Sequence, residues 1–127
     1  MSFSTRWSWR SSEIMSEAYR VIVTPEAQRD IRDIVLYIAR ELGAPQTALH
    51  LEQSLRAEIK TLAKMPKRIK TVDEQSWKDA GIRRTLVKKY YVYFIVDDEA
   101  GSVKVIAVIY VGRDQARQLT ERHPPIQ

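Results

Sequence analysis

The apolar residues of this chain change their spacing once, and that change determines the order of the elements. Between Ala27 and Leu62 they recur every three or four residues, as on one face of an α-helix. Between Ile82 and Val111 they form three runs rich in Val, Ile and Tyr, which is typical of strands. A further β-branched run, Tyr19–Val23, precedes the helical part. This order predicts an α+β domain: an N-terminal strand, two helices and three strands.

Local signals divide the helical part into two helices. Thr24 and Pro25 supply an N-cap and a first-turn proline, and Gly43 predicts the end of the first helix. Pro45 opens the second helix, which ends at Met65-Pro66. The short connection predicts an antiparallel hairpin. The predicted apolar stripe of the first helix consists of Ala27, Ile31, Ile34, Val35, Ile38 and Leu42.

The three later runs predict an antiparallel meander. Its strands are expected at Ile82–Val87, Tyr90–Val96 and Val103–Val111. Residues 67–81 are expected to form a loop with a short helical turn, and residues 113–122 a polar, helical tail. Two helices cover one face of such a sheet, so the opposite face or its edge is predicted to remain open for a partner.

Length and composition predict one soluble domain without a metal or cofactor. We divide the 127 residues into an N-terminal extension, 1–18, with Trp7 and Trp9, and a single domain, 19–127, with a short C-terminal tail. The chain has no Cys, and its two His residues are far apart, which argues against a metal centre. No apolar run approaches the roughly 18 residues of a membrane span.

Positive charge is concentrated in one segment. Ten of the 21 Lys and Arg residues and three of the 16 Asp and Glu residues lie between Lys60 and Lys89. That segment has a net charge of +7, whereas the rest of the chain has −2. A focused basic patch suits a nucleic acid, a nucleoprotein or an acidic protein partner, and a solvated surface is the alternative interpretation.

The ordered set of segments resembles the RelE/ParE toxin superfamily from about Tyr19 to Arg117. Residues 34–38, the end of the second helix and the Gly81-x-Arg83 entry to the meander are closer to the ParE branch than to RelE. The segments that carry the resemblance are Tyr19–Ala27, Asp30–Ile38, Leu62–Pro66, Gly81–Arg83, Tyr90–Asp98 and Val108–Asp114.

The resemblance implies a cytoplasmic toxin of a type II toxin–antitoxin system, a class linked to growth inhibition and plasmid stabilisation. It implies a cognate antitoxin as partner, in a homo- or hetero-oligomer. ParE-like toxins are implied to inhibit DNA gyrase by binding. RelE-like toxins are implied to cut mRNA on the ribosome. A third hypothesis is a toxin fold that has lost its toxicity and serves as a repressor subunit.

The sequence fits the ribonuclease pattern poorly. RNA cleavage needs a proton acceptor, a proton donor and positive charge around the phosphate. The candidate groups are Arg84, Lys88, Arg113 and His123. Against the RelE pattern, Tyr91 stands at an Arg position, Asp114 at a basic position and Thr120 at the position of the C-terminal tyrosine. We therefore favour binding to gyrase without chemistry. The predicted binding residues are Arg83, Arg84, Lys88, Lys89, Tyr91, Arg113 and Arg117.

Overall fold

The computed structural model describes residues 18–122, with side chains up to Glu121. Most of the expected extension, residues 1–17, and the candidate His123 lie outside the described residues. The predicted α+β order is confirmed. The elements are β1 (Arg20–Val23), α1 (Pro25–Leu36), α2 (Pro45–Thr61), α3 (Gln75–Asp79), β2 (Ile82–Val87), β3 (Tyr90–Asp97), β4 (Ser102–Tyr110) and α4 (Gln115–Arg122).

The four strands form one sheet in the order β1-β4-β3-β2. The predicted meander is confirmed, because β2, β3 and β4 pair antiparallel, whereas β1 runs parallel to β4. Between β3 and β4 the register shifts: Tyr93 lies opposite Ala107, and Phe94 lies opposite Val105. Ile106 lies between these two pairs. The irregularity places both Ile106 and Ala107 on one face of the sheet.

The hairpin of α1 and α2 covers the other face. Thr24 caps α1 as predicted, with its hydroxyl accepting a hydrogen bond from the Ala27 amide at 3.2 Å. Both helices bury their apolar stripes against alternate residues of the strands. The fully buried members of this core include Ala27, Leu55, Ile59, Leu62, Val92, Phe94, Val103 and Val105.

The first helix ends before Gly43 as predicted, where the glycine has φ of 62°, but its last turn is not α-helical. Residues Tyr37–Glu41 form a π-helical turn, in which the Leu42 amide donates to the Tyr37 carbonyl at 3.2 Å. One extra residue in a turn rotates the residues after that turn by about 100°. Ile38 is therefore buried, but Leu42, predicted to belong to the core stripe, is 59% exposed.

Most of the sheet face opposite the hairpin is covered, and it remains open only toward its edge strand, β2. The short helices α3 and α4 pack on it and bury Trp77 and Leu119 against Ile82, Tyr93 and Ile109. The physical reason is the irregularity in β4, which gives this face more apolar side chains than strict alternation would. The part of this face that remains exposed lies toward β2.

Candidate functional site

The exposed part of this face carries a cluster of Arg84, Tyr91, Tyr93 and Gln115, which we call the arginine–tyrosine cluster. Tyr93 and Arg84 are cross-strand partners on β3 and β2. The Arg84 guanidinium lies 3.9 Å from the centre of the Tyr91 ring and donates to the Tyr93 hydroxyl at 3.2 Å. The geometry with Tyr91 is that of a cation–π interaction.

Gln115 connects the cluster to α4. The Tyr93 hydroxyl donates to Gln115 Oε1 at 2.8 Å. The Gln115 amide nitrogen donates to the carbonyl oxygens of Tyr110 and Arg113, at 2.6 and 2.9 Å. One side chain thus joins the sheet, the turn after β4 and the start of α4.

A depression of about 220 Å³ opens beside the cluster. Trp77 and Leu119 form its apolar base, and the carboxylates of Asp73 and Glu74 stand at its rim. Burial raises the pKa of Tyr93 above 10.0, although hydrogen bonding to Arg84 opposes the rise. A tyrosine that holds its proton more tightly is a poor general base near neutral pH. The cluster can present charge and aromatic surface, but Tyr93 is not poised to accept a proton.

A second exposed surface lies at the end of the sheet where β3 begins and β4 ends. Tyr37, Leu42, Tyr90 and Tyr110 line one depression of about 710 Å³ there, with Arg113 at its margin, and we call this the aromatic end. Tyr90 and Tyr110 are register partners whose ring centres are 5.6 Å apart. Tyr37 is 56% exposed and Tyr110 is 44% exposed.

The predicted binding residues on β2 and the following turn have different roles. Arg83 Nη1 donates to the carbonyl of Ile69 at 2.6 Å, which secures the segment before β2. Arg84 belongs to the arginine–tyrosine cluster. Lys88 and Lys89 are exposed in the β2–β3 turn, where Lys88 has a left-handed backbone with φ of 56°. The structure thus places Arg84 at a surface and Arg83 in a structural contact.

The predicted residues near the C-terminus are split between two surfaces. Arg113 is exposed at the aromatic end, while Arg84 lines the depression on the other face. Arg117 is exposed on α4, with Nε 3.5 Å from a Glu121 carboxylate oxygen. Within residues 18–122, then, Arg84 and Arg113 do not line a common depression.

The basic segment does not form one patch. Lys67 lies at the β3–β4 turn, with its ammonium 2.7 Å from an Asp98 carboxylate oxygen. Lys89 lies at the opposite end of the sheet, because its carbonyl accepts from the Val111 amide just after β4. The eight residues of β3 separate these ends by about 24 Å. Closeness in sequence therefore overstated the closeness of the charges.

Sequence reasoning missed Tyr37, Leu42 and Gln115 as surface or site residues. A π-helical turn has no simple sequence signature, so a helical period assigns Leu42 to the core. Gln115 could have been suspected from its place at the first position of a polar helix. Its bond to Tyr93, 22 residues away, arises only in the tertiary structure.

Neither a metal centre nor a membrane-crossing helix occurs in the described part of the chain. No three His, Cys, Asp or Glu side chains within residues 18–122 are arranged to hold an ion. None of the helices there combines the length and the apolar character that a membrane span requires.

Several solved structures are similar to this chain. No curated protein matches its sequence. The chromosomal ParDE system from P. aeruginosa has a TM-score of 0.62 at 16% identity, over 75% of this chain and 98% of that one. The RelBE2 toxin–antitoxin complex from Mycobacterium tuberculosis has a TM-score of 0.51 at 20% identity, and the match covers 73% of this chain and 98% of that one. A mutant of E. coli toxin RelE in the free state has a TM-score of 0.54 at 13% identity, and the match covers 80% of this chain and 92% of that one.

These likenesses show that the chain has the fold of RelE- and ParE-type toxins. The sequence adds a more specific result. Residues 21–115 match the model of the ParE toxin of the type II toxin–antitoxin system parDE, which is well over half of the chain. The chain therefore belongs to the ParE toxin family of type II toxin–antitoxin systems.

Proposed function

We propose that this toxin inhibits DNA gyrase by binding to it, without chemistry of its own. The observation that carries the proposal is the arrangement of Arg84, Leu86 and Tyr91. Tyr91 is the cross-strand partner of Leu86, which is 56% exposed, and Arg84 stacks on the Tyr91 ring. Arg and Tyr next to an exposed apolar side chain are typical of protein-binding hot spots.

The basic residues of the β2–β3 turn favour an acidic partner region at that end of the surface, away from Asp73 and Glu74. Lys88 and Lys89 lie in the turn directly after β2, so they flank Leu86 and Tyr91. Exposed charges of one sign guide association and select a partner of opposite charge. This role needs no shifted pKa, whereas RNA cleavage needs groups adjusted for proton transfer.

A ribosome-dependent ribonuclease is the second candidate, because RelE-type structures share the fold. Two observations weigh against it. Burial raises the pKa of both Tyr90 and Tyr93, which makes each a weaker proton donor and a poor acceptor near pH 7. Of the proposed catalytic set, Arg84 and Arg113 line separate depressions.

We further propose that a cognate antitoxin binds the groove between α1 and α2. The groove measures about 410 Å³, with Ile31, Val35 and Leu36 contributing apolar surface. Arg29 and Arg32 stand at its rim. An amphipathic helix with acidic flanks would fit such a groove, its apolar side inward and its carboxylates toward the arginines.

The proposal is tested with purified toxin and gyrase in a supercoiling assay. We expect Arg84→Ala and Tyr91→Ala each to weaken inhibition by about 10- to 30-fold, the loss typical of truncating a hot-spot residue. Lys60→Ala is the matched control, because Lys60 is an exposed basic residue on α2. It should retain full inhibition.

Two outcomes would contradict gyrase binding. One is wild-type toxin that leaves supercoiling unchanged. The other is an immediate fall in labelled methionine incorporation after induction, with thymidine incorporation intact. The second result would favour the ribonuclease, and Arg84→Ala with Lys88→Ala should then abolish RNA cleavage while sparing antitoxin binding.

A further inference from the structure

Three large side chains with apolar surface are exposed next to one another at the aromatic end. Leu42 is 59% exposed, Tyr37 56% and Tyr110 44%, and all three line one depression. A soluble protein seldom leaves adjoining large apolar side chains in water unless they bind something. No described residue covers this surface.

Two rings of the aromatic end are held in place by contacts within the domain. Tyr110 packs against Tyr90, and its Cε2 lies 2.5 Å from where a Cβ would stand at Gly112. Tyr37 begins the π-helical turn beside them. Because the rings of Tyr90 and Tyr110 already pack on each other, their ordering on binding would cost little conformational entropy.

The chain itself contains a segment suited to this surface. Residues 1–17 include Phe3, Trp7 and Trp9, and they precede the part that matches the toxin family. Tryptophans stack well on tyrosine rings and are favoured at interfaces. Arg6 and Arg10 flank the two tryptophans. The exposed carboxylate of Asp33, which lines the same depression together with Arg113 and lies 4.0 Å from Arg32, is the acidic group that Arg6 or Arg10 would approach.

The length of the segment suits the distance that it has to cover. The Tyr19 amide donates to Ala63, and the Arg20 amide donates to Gly101, so the segment joins the domain at the β3–β4 turn. The aromatic end lies at the other end of β3, about 24 Å away. Trp9 precedes Ala18 by nine residues, which can span about 30 Å when extended.

We propose that residues 1–17 bind across their own domain, with Trp7 and Trp9 on the aromatic end. The segment then masks Tyr37, Leu42 and Tyr110. If the toxin acts by binding, as proposed above, any partner that needs this surface must first displace the segment. The masking itself does not depend on the identity of the target.

Tryptophan fluorescence of the full chain tests this placement. In a Trp77→Phe background only Trp7 and Trp9 emit. We expect short-wavelength emission protected from acrylamide, and Leu42→Ser should shift it to longer wavelength and remove the protection. Leu86→Ser is the matched control, because Leu86 is 56% exposed on the other sheet face and should leave the emission unchanged.

A second measurement covers the case in which the buried Trp77 cannot be replaced. The chain labelled with 5-fluorotryptophan gives one fluorine resonance for each of its three tryptophans, and those of Trp7 and Trp9 should move in Leu42→Ser but not in Leu86→Ser. The proposal would be overturned if acrylamide quenched Trp7 and Trp9 in the parent chain as readily as it quenches tryptophan in water. An equal response to Leu86→Ser would also overturn it. So would a blue-shifted emission that occurs only when the protein has the mass of a dimer, since the segment would then bind a second copy.

Inhibition by the masked and unmasked forms is measured separately. Trp7→Ser with Trp9→Ser should inhibit gyrase at least as strongly as the parent chain, because the domain is unchanged. Failure of the whole gyrase assay would refute the proposed function but leave the fluorescence result standing. Failure of the fluorescence test would refute the masking and leave the function untouched.

Discussion

Removing the Tyr93 hydroxyl should loosen the junction between the sheet and α4. The ring is 1% exposed, and the hydroxyl accepts from Arg84 while donating to Gln115 at 2.8 Å. A neutral hydrogen bond contributes about 1 kcal/mol net, and one to a charged group contributes somewhat more. Because Arg84 is exposed and can bond to water, we expect Tyr93→Phe to lower the free energy of unfolding by about 1–2 kcal/mol.

A double-mutant cycle with Gln115→Ala isolates the bond between the two side chains. Gln115→Ala also removes the donors to the carbonyls of Tyr110 and Arg113, so alone it should cost about 2 kcal/mol. The two substitutions share one bond, and together they should therefore cost about 1 kcal/mol less than the sum of their separate effects.

Urea unfolding provides the measurement, with a lower midpoint at unchanged slope as the expected result. Tyr91→Phe is the control, because the Tyr91 hydroxyl makes no hydrogen bond within the described residues, and its effect should stay within about 0.5 kcal/mol. Strict additivity in the cycle would refute the reasoning, since it would mean that the hydroxyl of Tyr93 and the amide of Gln115 act independently.

Three other contacts give predictions of their own. Hydrogen bonds from Lys67 and Tyr19 lower the pKa of Asp98, so this stabilisation is present above the unfolded carboxyl pKa and is lost as the pH falls through the lower folded value. Urea midpoints measured down to about pH 2 should therefore fall less steeply in Asp98→Asn than in the parent. The Asp30 carboxylate accepts from the Val108 amide at 3.0 Å, on the edge of β4 that β1 does not reach. Asp30→Ala should cost about 1–3 kcal/mol in thermal unfolding, and Asp30→Asn, which keeps an acceptor, should cost less. Gly112→Ala should displace the Tyr110 ring and change the near-ultraviolet circular dichroism, whereas an unaltered spectrum would contradict the close approach.

The order and type of the main elements could be predicted because local signals agreed with the tertiary structure. Thr24, Pro25 and Pro45 mark the helix starts, and each acts where expected. The β-rich runs gave the three later strands to within one residue at each end. In these stretches, periodicity, capping and turn residues all favour the same structure.

The parts that could not be predicted depend on contacts between distant residues. The irregularity at Ile106 shows in the sequence only as an unbroken apolar run, which β4 shares with any strand buried on both faces. The same apolar run indicated a strand that is central or covered on both sides, but it did not identify α3 and α4 as the elements that cover the second face. The exposure of Leu42 is instead a consequence of the π-helical turn. The site residues differ in the same way. Arg84 was identifiable by its type and position, whereas the bond that joins Gln115 to Tyr93 forms only in the tertiary structure.

One short run of β3 explains how a small domain keeps two exposed surfaces apart. Successive strand residues point to opposite faces. Tyr90 therefore contributes to the aromatic end beside the helical hairpin, whereas Tyr91 and Tyr93 form the arginine–tyrosine cluster on the other face. Substitutions at neighbouring positions thus test different surfaces. If the cluster binds the target and the aromatic end binds the N-terminal segment, Tyr91→Ala should weaken gyrase inhibition while leaving the Trp7 and Trp9 fluorescence intact. Tyr90→Ala should do the reverse, and a variant that altered both readouts equally would place the two functions on one surface.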